Sequence, residues 1–398
     1  MKKRTIEEFD VKSKKILLRV DFNVPIDEYG NILDDRKIRY SLKTIEYLND
    51  NKAKLIILSH LGRPGGKYNK KLSLENVCER LGEIMHKNIS LAPSLYGEET
   101  EEMIEEMLPG DIIMLENTRF DPGEEKNASS LSKKLASYAD VFVNDAFSVS
   151  HRNHASIVGV SKFLDTYAGF RLQKDIEILS GIFERIERPL TIVLGGTKIE
   201  HKIELIKNFV NKVDNILIGG ELGNFLLHAQ GYDLGDYYDD KDKLKKVRAV
   251  LKTIENNLEK IKLPVDVVVS DEISDTAESA TIPIRFMHSK LKILDIGPNT
   301  IESFGKIISD SSTVVWSGPM SNVETDNFLN GTRRIADSIS DKYGNTVVGG
   351  TETLNILGKI DISESRFTHF SAGGGAMLEY LQKGTLPGIE NIPKVWGL

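Results

Sequence analysis

The chain has 398 residues, 40% hydrophobic and 28% charged, the balance of a globular protein long enough for about two or three cores. Lys and Arg number 52 against 59 Asp and Glu, and a net charge of −7 argues against general attraction to nucleic acid or acidic membrane. Cys78 is the single cysteine, MKKRTIEEFD lacks the apolar core of a secretory signal, and no apolar run approaches the roughly 20 residues of a membrane span, so a reducing cytoplasm is the expected location.

Short runs rich in Val, Ile and Leu recur at 16–20, 55–58, 112–115, 141–143, 192–194, 216–218, 265–269, 314–316 and 347–348, with helical patterns between them. Strands apolar on both faces and separated by helices indicate parallel sheets covered on each side, an α/β class. Ligands then sit beyond the carboxyl ends of the strands. In the first half those ends are polar: Asp21 and Asn23, Ser59-His60 and Arg63, Glu116-Asn117 and Arg119, Asn144-Asp145 and then His151-Arg152. In the second half they are glycines: Gly195-Gly196, Gly219-Gly220, Gly318-Pro319, Gly349-Gly350 and Gly373-Gly374-Gly375. Two doubly wound lobes facing each other across a cleft are expected, joined near 168–176, the first for a small anionic molecule and the second for a nucleotide.

The most informative stretch is TIVLGGTKIEHK at 191–202. A buried strand stops at the glycine pair, and Ile199, Ile203, Ile206, Val210 and Val213 then fall on one helical face. Lys198 and Lys202 rise on one side of the first turns, beside backbone N–H groups that favour an anion, most simply a phosphate. A glycine pair can equally serve only to turn the chain, and two lysines to solvate a face. In the first half, Arg63, Arg119 and Arg152 each follow a strand end, and a planar guanidinium suits bidentate capture of phosphate or carboxylate. His60 and His151 suit hydrogen bonding to the same ligand or to their own turns; Asp21 and Asn23 suit a substrate hydroxyl or a turn cap. The sequence holds no G-x-x-x-x-G-K-[ST], no G-x-G-x-x-G followed by a ribose acid, no protein-kinase motif set and no clustered Cys/His spacing.

LLRVDFNVP (17–25), LSHLGRP (58–64), LENTRF (115–120), VNDAF with the following HR-x-HAS (143–156), GGTKIEHKI (195–203), ILDIGP (293–298), VVWSGPM (314–320) and SAGGGA (371–376) resemble, in order, the motifs of the phosphoglycerate kinase family. The resemblance implies an enzyme of glycolysis and gluconeogenesis that moves a phosphoryl group between 1,3-bisphosphoglycerate and ADP, with Mg²⁺, giving 3-phosphoglycerate and ATP. It implies residues 1–170 as the 3-phosphoglycerate lobe, with 387–398 returning to it, and 171–386 as the nucleotide lobe; a monomer is expected, with no nucleic-acid or membrane partner. Asp21, Asn23, His60, Arg63, Arg119 and Arg152 would then hold 3-phosphoglycerate. Gly195, Gly196, Lys198, Lys202, Gly219, Gly220, Pro319, Glu324, Gly349, Gly350, Thr351, Glu352, Thr353 and Gly375 would serve the nucleotide, with Glu324 at the ribose and Glu352 at the metal. Lys198, Gly373 and Gly374 would take part in transfer. Where the family has a catalytic arginine, this chain has Lys37 between Arg36 and Arg39, and any of the three is a candidate for its role. Glu352 stands for the family's aspartate, and Ser317 and Ser321 replace an asparagine and a glycine, which bears on nucleotide preference. The competing expectations are a kinase for another small phosphorylated acid and a two-lobe binding protein without turnover.

Overall fold

The computed structural model describes residues 2–184, 187–197, 199–234, 238, 240–287 and 291–395. It divides into two compact units, Met1–Ser180 with Glu379–Leu398, and Gly181–Leu378. The helix Phe170–Glu184 begins at the expected join and runs through the division.

The first unit is built on strands β1 (Lys15–Arg19), β2 (Lys54–Leu58), β3 (Ser90–Leu91), β4 (Ile112–Met114), β5 (Val141–Asn144) and β6 (Thr166–Ala168). All pairings are parallel and the order is β3-β4-β2-β1-β5-β6. Because successive side chains in a strand point to opposite faces, a strand buried on both sides must be apolar throughout. β1 meets that demand: Ile16 and Leu18 enter one core with Ile45, Leu48 and Leu81, while Leu17 enters the other with Leu131, Leu135 and Phe142.

In the second unit β7 (Leu190–Leu194), β8 (Asn215–Ile218) and β9 (Ile261–Lys262) lead to β10 (Asp266–Ser270), β11 (Ala280–Pro283) and β12 (Lys292–Ile296), and then to β13 (Thr313–Ser317), β14 (Asn345–Gly349) and β15 (His369–Ser371). The main sheet is parallel, β15-β14-β13-β7-β8-β9. The run at 265–269 departs from the expected pattern: β10 pairs antiparallel with β11 and β12 in a separate sheet. The link 271–279 carries no helix, and a parallel return would need a crossover of about a dozen residues or more. The helix Ile199–Phe209 follows β7 as its periodicity predicts, with Ile199, Ile203 and Ile206 buried on one face and Val210 and Val213 continuing it.

Three helices are tied to the sheets by a buried aspartate from another element. Asp145 Oδ1 accepts from the Arg171 and Leu172 amides, at 2.8 and 3.1 Å, in the first turn of Phe170–Glu184. Asp266 accepts from the Asn299 and Thr300 amides, and Asp295 Oδ2 from the Gly331 amide at 2.7 Å. Each carboxylate satisfies orphan N–H groups and sits at the positive end of the helix dipole. Glycine is needed beside each: a Cβ on Gly169 would stand 2.3 Å from Asp145 Oδ1, and one on Gly331 2.1 Å from Asp295 Oδ1.

Candidate active site

In the first unit the loops after β1, β2, β4 and β5 bring most of the expected side chains together. Asp21, at the end of β1, is buried, and its Oδ2 accepts from Lys37 Nζ at 3.0 Å and from the Ser148 hydroxyl. Burial raises the affinity of this carboxyl for a proton, but the Lys37 ammonium, His60 and the Ser148 hydrogen bond outweigh it and hold it well below the usual carboxylate range. Asn23 fixes the loop after β2, its Oδ1 accepting from the Gly62 amide at 2.8 Å. His60 is almost wholly buried, with Nδ1 3.9 Å from Asp21 Oδ1 and 3.2 Å from Arg19 Nη2. Burial keeps the imidazole neutral, pulling its pKa well below the ordinary value.

The arginines form one electrostatic group. Arg119 is pushed down to about 10 by burial and then by Arg152; Arg152 is lowered by burial and then by Arg63. Arg119 Nη1 donates to Gly62 O at 2.6 Å, while its Nε, 3.2 Å from Glu125 Oε1, has no aligned acceptor. His151, expected as a further donor, is neutral, pushed down to about 4 chiefly by burial and Arg152, and its buried Nδ1 has no protein partner. Two guanidinium groups lowered by burial and then by a neighbouring guanidinium, although acidic neighbours partly offset this, make a region of positive potential that suits an anion.

The three candidates at 36–39 separate cleanly. Arg36 Nε lies 2.8 Å from Asp34 Oδ2, and Arg39 Nε and Nη2 each lie 2.9 Å from Asp35. Arg80 also reaches Asp35, at 2.8 Å, so these charges offset one another around a cavity of about 770 Å³ also lined by Glu79 and Glu83. Lys37, buried on the opposite side of the helix Arg36–Tyr40, is the one that joins Asp21 and His60.

The second unit presents backbone. A Cβ on Gly195 would stand 1.9 Å from Pro319 O, and one on Gly220 would stand 2.7 Å from Gly196 N and 2.9 Å from Pro319 O. Only glycine lets the turns after β7, β8 and β13 approach so closely, and Gly220 also has φ +60. Gly219 packs on Met320, where an added Cβ would meet Sδ at 2.8 Å. Thr353 Oγ1 ties two turns together, accepting from the Gly318 amide at 3.0 Å and donating to Gly349 O at 3.2 Å. Gly350 precedes the helix Thr351–Lys359, with Thr351 exposed in its first turn, and an added Cβ on Gly374 would stand 2.6 Å from Gly350 Cα. Gly373 precedes the helix Gly374–Lys383, in whose first turn Gly375 lies with open space beside its Cα. Lys202 is buried and its ammonium donates to Gly195 O; a Cβ on Gly196 would meet Lys202 Nζ at 3.2 Å and Glu352 Oε2 at 2.9 Å. Lys198 lies outside the described residues. A cavity of about 260 Å³ is lined by Gly196, Gly220, Pro319, Glu324 and Glu352, and also by Asn224 and Tyr238, whose side chains share a 2.9 Å hydrogen bond.

Sequence inspection assigned no role to Arg19, Ser148, Glu124, Ser156 or Tyr238. Arg19 alone carried a signal, a charge inside an apolar strand run.

An arginine cluster in one doubly wound unit and a glycine-walled cavity in the other are the arrangement expected of a class, the α/β kinases that act on small molecules. The phosphoglycerate kinase family model matches residues 6–384. The phosphoglycerate kinases of Pseudothermotoga lettingae and Coprothermobacter proteolyticus are each 42% identical to this chain, over 393 and 389 residues, covering 98% of it and 99% and 98% of those proteins. Among solved structures, phosphoglycerate kinase from Coxiella burnetii superposes with a TM-score of 0.83 at 35% identity, and that from Pyrococcus horikoshii with 0.88 at 30%, each comparison covering 98% of both chains. The chain belongs to the phosphoglycerate kinase family. Among the described residues no helix is long and apolar enough to cross a membrane.

Proposed function

We propose that this chain catalyses reversible phosphoryl transfer between 1,3-bisphosphoglycerate and ADP, acting as a monomer in the cytoplasm, with 3-phosphoglycerate held by Asp21, Asn23, His60, Arg63, Arg119 and Arg152. The lowering of Arg119 and Arg152 by burial and by a neighbouring guanidinium, Arg152 and Arg63 in turn, carries this reading, because a bound anion would relieve it. Lys37 takes the role of the family's arginine: its buried ammonium stands 3.0 Å from Asp21, whereas Arg36 and Arg39 are held by Asp34 and Asp35. An ammonium is a point charge, so Lys37 neutralises negative charge at the transferring group without a bidentate fork. ATP or ADP occupies the cavity of the second unit, with Glu324 at the ribose and Lys198, Lys202 and Gly373–Gly375 at the phosphates.

Among the described residues no three His, Cys, Asp or Glu side chains are grouped to hold a metal. A single carboxylate, Glu352, close over the Gly196 turn fits Mg²⁺ that arrives on nucleotide phosphates, since Mg²⁺ is commonly held by one or two carboxylates plus phosphate oxygens. When bound, it would neutralise phosphate charge. Direct in-line transfer fits a site rich in donors, since phosphoryl transfer asks chiefly for positioning and charge stabilisation. The test is a steady-state assay of ATP formation from 1,3-bisphosphoglycerate and ADP, with other small phosphorylated acids tested in the reverse direction. Turnover only with another acid would replace the substrate, and full turnover in single alanine variants at 36, 37 and 39 would remove the site.

A further inference from the structure

Arg19 ends β1 with its guanidinium among the largest wholly buried side chains of the molecule, behind the residues that face the ligand. Its hydrogen bonds run in one sense. Nε donates to Ser156 Oγ at 2.9 Å, Ser156 Oγ donates to Glu124 Oε1 at 2.6 Å, and the Ser156 amide donates to Glu124 Oε2 at 2.9 Å. Glu124 is itself fully buried, with His154 Nδ1 3.6 Å from Oε1. On the other side Arg19 Nη1 donates to Val20 O and Nη2 lies 3.2 Å from His60 Nδ1.

A guanidinium has only donors, and a neutral imidazole has one N–H and one lone pair. A nitrogen that faces an Arg N–H therefore has to be the lone-pair nitrogen. Asp21 pulls the other way: its Oδ1, 3.9 Å from the same Nδ1, would favour a proton there. The charged groups that bear on His60 are Asp21, Arg19, Arg119 and Lys37, and three of the four are cations that oppose adding a second proton to the ring.

We propose that Arg19 is a positioning residue acting through His60: locked from behind by Ser156 and Glu124, it occupies the Nδ1 lone pair and leaves the imidazole neutral, with its single N–H at Nε2 as donor to an anionic oxygen of the ligand. This rests on the proposed substrate site. The arrangement makes His60 a fixed donor rather than a proton carrier. It also explains why two charges as costly to desolvate as Arg19 and Glu124, bridged by Ser156, are kept in the interior: their product is one specified tautomer.

The test reads the ring nitrogens by long-range ¹H–¹⁵N NMR of the full chain with ¹⁵N-histidine, His60→Gln supplying the assignment. Wild type is expected to show Nε2–H with unprotonated Nδ1 from about pH 5.5 to 8, a window that brackets an ordinary histidine; an Nδ1–H signal or titration in that window overturns the proposal without any variant being made. Arg19→Met, of similar bulk, is expected to move the proton to Nδ1 beside Asp21 and to raise KM for 3-phosphoglycerate about tenfold or more, with a smaller change in kcat, the cost of a lost donor to a charged group. A folded Arg19→Met protein that keeps Nε2–H overturns it as well. Should that variant fail to fold, Ser156→Ala, which unlocks the guanidinium but keeps its charge, is expected to broaden or split the His60 signals; an unchanged spectrum counts against the proposal. Wild type with Nε2–H but no binding of 3-phosphoglycerate supports the tautomer and overturns the substrate, whereas binding with Nδ1–H does the reverse.

Discussion

The two candidate ligand regions are built by opposite means. The first unit uses buried charged side chains that hold one another in place, as with Lys37 on Asp21 and Arg19 tied to Glu124 through Ser156. The second uses turns pressed so close that side chains are excluded, as at Gly195 against Pro319 O. The difference predicts how each tolerates change. Loss of a charge in the first unit strands a buried partner, whereas addition of one carbon in the second displaces a backbone.

The largest effect is expected at Lys37. Lys37→Met leaves the ionised Asp21 buried without its cation, which costs about 3–5 kcal/mol in urea unfolding, and it removes a transferring-group cation, which lowers kcat about 10³-fold. Lys37→Arg is expected to retain turnover. A Lys37→Met enzyme within tenfold of wild type would move catalysis elsewhere and erase the contrast between the units.

Next comes the backbone half. Gly195→Ala drives a Cβ into Pro319 O and is expected to cost about 1–3 kcal/mol, seen as a roughly 5- to 150-fold rise in KM for ATP with KM for 3-phosphoglycerate unchanged. Equal changes in both constants would show that the two regions do not fail independently.

A smaller effect separates the buried carboxyls. Burial raises Asp145 and Asp295 to about 7, against an ordinary 3.8. Their contribution to stability is complete below pH 3.8 and is lost as pH rises through about 7, because the folded chain holds their protons longer than the unfolded one. Asp21 has the opposite sign: its lowered pKa gives stability above the ordinary 3.8 that is lost on further acidification. Asp145→Asn keeps a cap acceptor for Arg171 and Leu172, and its unfolding free energy is expected to gain about 1–3 kcal/mol on wild type between pH 4.5 and 8. A parallel pH curve would show that the carboxyl stays ionised. Least of all, Arg39→Ala should cost about 0.2–1 kcal/mol and leave kcat within about threefold, because it removes an exposed pair with Asp35.

Much of this architecture was legible in the sequence because it is written in local patterns. Ile199, Ile203 and Ile206 announced the helix after β7 by their spacing, and Arg119 and Gly195 announced themselves by following apolar runs. β10 misled because Val267 and Val269 fit either sheet type, and direction is decided by the length of the following link. Glu124 was invisible for a different reason: it acts on Ser156, 32 positions away, and nothing nearby marks it; Asp145 was visible as a polar strand end but not as the cap at Leu172, 27 positions away. At 36–39 the sequence supplied three cations but could not say which face of a five-residue helix turns inward.

The far end of the chain has one further consequence. Asn144 at the end of β5 donates to Gly388 O at 2.9 Å, the Gly388 amide donates to Ser150 O at 2.8 Å, and the Arg4 amide donates to Pro393 O at 2.9 Å. The loop carrying His151 and Arg152 is thus pinned by residues that follow the whole of the second unit in the chain. During synthesis the first unit is clasped only after every residue of the second has been made, and a ribosome that stopped between Leu378 and Gly388 would release a chain with its second unit whole and its first unclasped.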